Sequence, residues 1–143
     1  MAKNNFLPIL KTRIENINKK AVVCGDPKRA EKIAAHLSEA EEISYNREYR
    51  LFSGFYNQQR ISVLSHGVGG PGAGVAFKEL IKGGPKEIIR TGTAGSLSKE
   101  IKDGDIVIAS AAVRNDGLTE QLVDLSYPAV ADWSLVAKLN RTA

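Results

Sequence analysis

The sequence predicts an α/β fold built on a sheet of mixed pairing. Two observations carry this. Short apolar, β-branched runs alternate along the chain with segments whose apolar residues recur at helical spacing. The glycines gather in two clusters, Gly67 to Gly74 and Gly92 to Gly95, and each cluster directly follows a strand-like run. Strand–helix–strand alternation of this kind argues for an α/β sheet with mixed pairing.

Ala21-Val-Val-Cys24 reads as a short buried strand. Gly25-Asp26-Pro27 then opens a helix, with Asp26 as N-cap and Pro27 at the first helical position. Ala30, Ile33, Ala34 and Leu37 give that helix its core face. Strands are expected around Ile43 to Tyr45, over Tyr49 to Tyr56 and over Arg60 to Ser65, with Asn57-Gln58-Gln59 as the turn between the last two. The Gly67 cluster leads into a helix facing the core with Ala73, Ala76, Phe77 and Leu80, which Gly83-Gly84-Pro85 ends. Strands are predicted over Glu87 to Thr91 and Asp105 to Val113. Asp132 caps a last helix reaching Leu139, and Trp133 is expected to pack.

Length and composition narrow the function. The chain has 143 residues, 43% hydrophobic and 25% charged, as expected for one ordinary globular domain. No run approaches the roughly eighteen apolar residues of a membrane span, so no membrane partner is expected. The first residues hold too short an apolar stretch for a signal peptide. A single cysteine, Cys24, forms no internal disulfide, and a reducing cytoplasm is the simplest compartment. The net charge of +4 suits an anionic small molecule and argues little for nucleic acid, which is not expected as a partner.

Several segments could carry chemistry. In Gly25-Asp-Pro-Lys-Arg29 a strand delivers the chain to a glycine and a helix start, where backbone N–H groups and the helix dipole favour an anion. Arg29, in the first turn, can add two charge-assisted hydrogen bonds. A well-capped helix with a surface arginine explains the same residues. Gly67-Val68-Gly69-Gly70-Pro71-Gly72 matches the G-x-G-x-x-G of dinucleotide sites. Glu87, at the distance where that motif wants an acid, begins its strand rather than ending it, and a tight strand-to-helix turn is the plainer reading. The Walker pattern is absent. In Arg90-Thr-Gly-Thr93-Ala94-Gly95 an arginine and a hydroxyl stand at the end of an apolar strand, where α/β sheets gather ligands. An arginine ending a buried strand is costly without a counter-charge, and the next acidic residue is Glu100, so an external anion is the expected partner of Arg90. Asn46-Arg47-Glu48 reads equally as a mixed-charge strand edge. His36 and His66 lie in no metal spacing.

Taken together and in this order, the segments resemble the nucleoside phosphorylase family of uridine phosphorylases and hexameric purine nucleoside phosphorylases. Gly25-Asp-Pro-x-Arg29, Asn46-Arg-Glu48, His66-Gly-x-Gly69, Arg90-x-Gly-Thr93-x-Gly95, Gly104-Asp105 and Pro128-Ala-Val-Ala-Asp132 look like its signatures. The resemblance runs from about Val22 to Leu139 and implies a three-layer phosphorylase-type fold, a strongly twisted mixed sheet flanked by helices. Residues 1–143 are read as the N-terminal part of that domain, so the fold is expected to be incomplete.

The resemblance implies an activity: phosphate attacks the anomeric carbon of a nucleoside, releasing free base and ribose 1-phosphate. Gly25, Arg29, Arg90 and Thr93 would hold phosphate, with Arg47 supplied by the neighbouring subunit of a homo-oligomer built from dimers, in hexamers for the family. Arg29 and Arg90 would act on the reacting phosphate. Val68, Thr93, Ala94 and Gly95 would lie against the nucleoside. Phosphate is a co-substrate, and no cofactor is implied. Some uridine phosphorylases place a monovalent cation near the positions of Glu48, Val68 and Gly72. Gly72 offers no hydroxyl ligand, so no metal is expected.

The family's N-terminal Pro-His-Ile is here Phe6-Leu-Pro-Ile-Leu10, without the histidine that reaches the neighbour's ribose. The family's stretch for base and ribose hydroxyls does not occur before Ala143. The uridine-type reading is favoured over the purine type by Val113-Arg-Asn-Asp-Gly117 and Pro128 to Asp132. A truncated, non-catalytic homologue that binds phosphate or nucleoside is the alternative.

Overall fold

The computed structural model describes residues 5–143. They divide into one unit ending at Gly92 and a second, Thr93–Ala143.

The first unit is organised around a five-stranded sheet in the order β4-β5-β6-β3-β7. The strands are β3 (Lys20–Cys24), β4 (Ser38–Asn46), β5 (Tyr49–Tyr56), β6 (Gln59–Ser65) and β7 (Glu87–Arg90). β3 lies parallel to both β6 and β7, while β4, β5 and β6 run antiparallel, so the pairing is mixed as the sequence predicts. A small antiparallel pair, β1 (Phe6–Leu7) and β2 (Thr12–Arg13), precedes it.

Helices α1 (Pro27–Ala34) and α2 (Gly69–Lys82) connect these strands. Adjacent residues of one strand enter different cores, because successive side chains leave a strand on opposite faces. Val23, Leu51 and Leu64 join Ala76 and Leu80 of α2, and Cys24, Phe52 and Val63 join Ala30 and Ala34 of α1. The first unit is therefore three layers, with one helix on each face of the sheet. Burial of Cys24 agrees with its reading as a small apolar filler.

Local chemistry explains the helix boundaries. Asp26 caps α1 by accepting from the Lys28 N–H at 2.9 Å, with Pro27 at the start. The helix stops at Ala34, short of the periodicity that extends to Leu37, and Leu37 still packs against the α1 core from the following turn. α2 begins within the glycine cluster and carries a buried acid, Glu79. Its carboxylate accepts the Ile9 N–H at 3.0 Å and the Leu10 N–H at 2.9 Å, clamping the N-terminal loop to α2. Nothing in the helical periodicity marks Glu79 for this role.

Further expectations change. β4 is longer than Ile43 to Tyr45 because pairing with β5 holds the polar stretch Ser38–Glu42 extended, through two register irregularities. Its exposed acids suit a sheet edge, where charge discourages further pairing. The turn between β5 and β6 has only two residues, Asn57 and Gln58, since Gln59 already pairs with Tyr56.

The predicted strand Asp105 to Val113 does not form. In the second unit this segment makes a single bridge, Ala111 to Val130, and Ile106, Val107 and Val113 are exposed. β-propensity needs a neighbouring strand to receive the backbone hydrogen bonds, and the described residues of this unit offer none. The unit's helices are α3 (Thr119–Leu122) and α4 (Trp133–Asn140). Asp132 caps α4 as expected, accepting from Leu135 N–H at 3.0 Å, but Trp133 is 78% exposed rather than packed. Arg114 organises this unit's loop by donating to the backbone carbonyls of Thr119, Val123, Asp124 and Tyr127.

Candidate functional site

Parallel pairing of β6, β3 and β7 brings three carboxyl ends to one edge of the sheet. Cys24 stands level with Ser65, and Val23 with Arg90. Beyond these ends the chain makes two turns that bond to each other. His66 N–H donates to the Cys24 carbonyl and Gly67 N–H to the Gly25 carbonyl, each at 2.9 Å. Thr91 N–H donates to the Val23 carbonyl at 2.8 Å on the other side.

The Gly25 turn is tight. A Cβ at Gly25 would stand 3.2 Å from the Gly67 carbonyl oxygen. Gly67 has φ +72°, and a Cβ there would meet the Glu48 side chain at 2.5 Å, so both conformation and space demand glycine. The G-x-G-x-x-G match thus sits in a strand-to-helix turn whose first glycine is needed for packing against Glu48.

Arg29 is partly buried in the first turn of α1, and Arg90 lies exposed at the end of β7. Both guanidiniums act on the buried Cys24 thiol. Burial pushes that thiol up, while the positive charges of Arg29 and, more weakly, Arg90 pull it down. Both arginines therefore act on the same strand end, that of β3. No carboxylate forms an ion pair with Arg90 among the described residues; its Nε instead donates to His66 Nε2 at 3.3 Å.

Two parts of the sequence reading need correction here. Arg90 is exposed, so the cost of burying an unpaired charge does not apply to it. The first-turn amides of α1 contribute less to an anion than expected, since Pro27 has no N–H and the Lys28 N–H is taken by Asp26. The positive field at this edge rests on the guanidiniums.

Arg47 occupies the two-residue turn between β4 and β5, exposed, with φ +57°. Because β5 starts where β6 ends, this turn lies at the same end of the sheet as Gly67, and Ser65 Oγ ties it down by donating to the Glu48 carbonyl at 2.6 Å. Val68, 94% exposed, precedes α2 at that end. Thr93, Ala94 and Gly95 belong to the second unit, exposed and outside regular secondary structure. Among the described residues no group of His, Cys, Asp and Glu has the arrangement of a metal site, and no helix is long and apolar enough to cross a membrane.

His66 is the residue the sequence reading passed over. It is 3% exposed, and its neighbours Val23, Leu64, Ala76, Phe77 and Leu80 form a small apolar wall. Burial, and then the adjacent Arg90, hold its protonation below the usual histidine range, while the backbone carbonyls of His66 and Gly67 pull weakly the other way. The available signal was its position directly after β6, beside the strand that ends at Cys24.

An α/β sheet that collects glycine turns and two arginines at the carboxyl ends of its parallel strands has the layout in which such sheets gather ligands. Residues 19–143 match the model of the phosphorylase superfamily, and the chain belongs to that family. It is 41% identical over 141 residues to a purine nucleoside phosphorylase of Plasmodium falciparum, covering 98% of this chain and 58% of that protein. It is 44% identical over 119 residues to a uridine phosphorylase of Thermococcus kodakarensis, covering 83% and 43%. Among solved structures it matches uridine phosphorylase from Vibrio fischeri with a TM-score of 0.94 at 30% identity, over 99% of this chain and 59% of that one. It matches purine nucleoside phosphorylase from Toxoplasma gondii, in complex with immucillin-H, with a TM-score of 0.94 at 38% identity, over 100% and 58%. The chain spans between two fifths and three fifths of the length of these relatives.

Proposed function

We propose that this chain serves phosphate-dependent cleavage of the N-glycosidic bond of a nucleoside, giving free base and ribose 1-phosphate, and that residues 1–143 supply the phosphate side of the site. What supports the reading is the gathering of Gly25, Arg29 and Arg90 at one edge of parallel strands, in a chain of the phosphorylase superfamily.

The reaction suits such a site. Phosphate brings its own nucleophilic oxygen, so the protein needs no nucleophilic side chain and no organic cofactor. It must hold an anion in line with the breaking bond and stabilise charge as the sugar becomes cationic. Arg29 and Arg90 would do this, with Gly25 and Thr93 completing the cradle and Arg47 reaching in from a neighbouring copy in a homo-oligomer. Exposure of Arg47 on a fixed turn is compatible with a role in trans. Val68, Thr93, Ala94 and Gly95 would face the nucleoside. Relatives of both uridine and purine type match, and we favour the uridine type on the Val113–Gly117 and Pro128–Asp132 segments. A reducing, cytoplasmic setting fits the single buried thiol.

Titration of inorganic phosphate into the chain tests the site. Arg90→Ala should weaken binding several-fold to a hundredfold, since a charge-assisted hydrogen bond contributes about 1.5–3 kcal/mol. Unchanged affinity in that variant would remove Arg90 from the site.

A further inference from the structure

We propose that His66 is a positioning residue that aims the Arg90 guanidinium at the anion, an inference that rests on the phosphate reading above. Arg90 is a long, exposed side chain on the last residue of β7, with no carboxylate paired to it among the described residues. Left alone, such a side chain samples many rotamers and offers its charge without direction.

His66 supplies the direction. Its backbone N–H is bonded to the Cys24 carbonyl, and its ring is held by the apolar wall, with the Phe77 ring centroid 6.1 Å away. The imidazole therefore cannot follow Arg90. Accepting the Arg90 Nε–H at 3.3 Å, it fixes one edge of the guanidinium and leaves the two terminal nitrogens for a bidentate approach to an oxyanion.

The chemistry of the pair requires a neutral imidazole, because only the unprotonated Nε2 can accept. Burial and the Arg90 charge keep it so. The proton then sits on Nδ1, where the described residues offer only the weak pull of the His66 and Gly67 backbone, and Nε2 stays free to accept from Arg90. A carboxylate in place of His66 would also hold Arg90 but would cancel its charge. A neutral acceptor holds the arginine and leaves that charge for the anion.

The test uses phosphate titration of the chain by calorimetry, together with the NMR signal of the Arg90 Nε–H, assigned by its loss in Arg90→Ala. His66→Gln sets an amide oxygen near the place of Nε2. His66→Phe fills the apolar wall with no acceptor, and His66→Asn, too short to reach Arg90, serves as a second variant should Phe disturb the fold. We expect His66→Phe and His66→Asn to weaken phosphate several-fold and shift the Arg90 signal, and His66→Gln to stay close to the parent in both. In the Arg90→Ala background His66→Phe should have no further effect. The proposal is overturned if Gln binds as weakly as Phe, or if Phe costs as much without Arg90 as with it. If parent and Arg90→Ala take up phosphate equally, the phosphate reading falls. The Nε–H signal then decides the pair alone: a shift in His66→Phe upholds it, and an unmoved signal overturns it.

Discussion

At the end of β7, Arg90 keeps its charge available because its only hydrogen-bonded side-chain neighbour among the described residues is a neutral ring. That neighbour has a thermodynamic signature of its own. His66 binds its proton less readily folded than its ordinary value of 6.5. On acidification the unfolded chain takes up this proton first, so it is stabilised relative to the fold. The His66 contribution is therefore intact above pH 6.5 and declines as pH falls from there through the depressed folded value. The urea midpoint should fall less between neutral and mildly acidic pH in His66→Phe than in the parent, because the other titrating groups cancel in the comparison. An identical acid loss in both chains would show that His66 is not the titrating group. Arg29, Arg90 and Gly25 were legible as site candidates from their own surroundings in sequence, a strand end followed by a turn. His66 was not, because its role depends on β6 and β7 both flanking β3.

Among the elements, the β5–β6 hairpin carries visible local strain. Asn57 and Gln58 both have positive φ, 47° and 63°. Two-residue hairpin turns need this conformation, and asparagine tolerates it. Gln58 does not, at a cost of about 1–2 kcal/mol for an L-residue with a Cβ. Glycine there would remove that cost and return about 0.5–1 kcal/mol as lost chain entropy. Gln58→Gly should therefore raise stability by roughly 0.5–1 kcal/mol, read as a higher urea midpoint with unchanged slope. A lower midpoint would mean that the Gln58 side chain contributes more than its backbone strain removes. The hairpin's existence was legible from Asn57-Gln58-Gln59 between two apolar runs. Its register was not, because one residue more or less in the turn turns every β6 side chain to the other face. The cores on both faces decided it: Leu64 must meet α2 while Val63 meets α1.

For the molecule as a whole, the described residues carry the edge we propose for phosphate, while the ribose- and base-holding stretch implied by the family resemblance does not occur within them. Loss of a transition-state contact commonly lowers turnover by two to three orders of magnitude, about 2.7–4 kcal/mol each. The 143-residue chain should therefore bind phosphate yet release base from uridine, inosine or adenosine at a negligible rate. Base release at saturating phosphate measures this, against a chain of the length its relatives have. Comparable turnover by the two would show that residues 1–143 hold a complete site and that our account of it is wrong.

By itself the sequence determined the α/β class, the capped start of α1, the glycine turns and the arginines at the strand ends. Each of these depends on interactions within a few residues, such as the Asp26 cap on Lys28, or on a periodicity that one segment displays alone. Tertiary structure decided the remainder: that Asp105 to Val113 forms one bridge and no strand, that Glu79 clamps Ile9 and Leu10, and that His66 meets Arg90. A strand, a buried carboxylate and an imidazole acceptor each need a partner distant in sequence. Only the folded chain brings that partner within hydrogen-bonding reach.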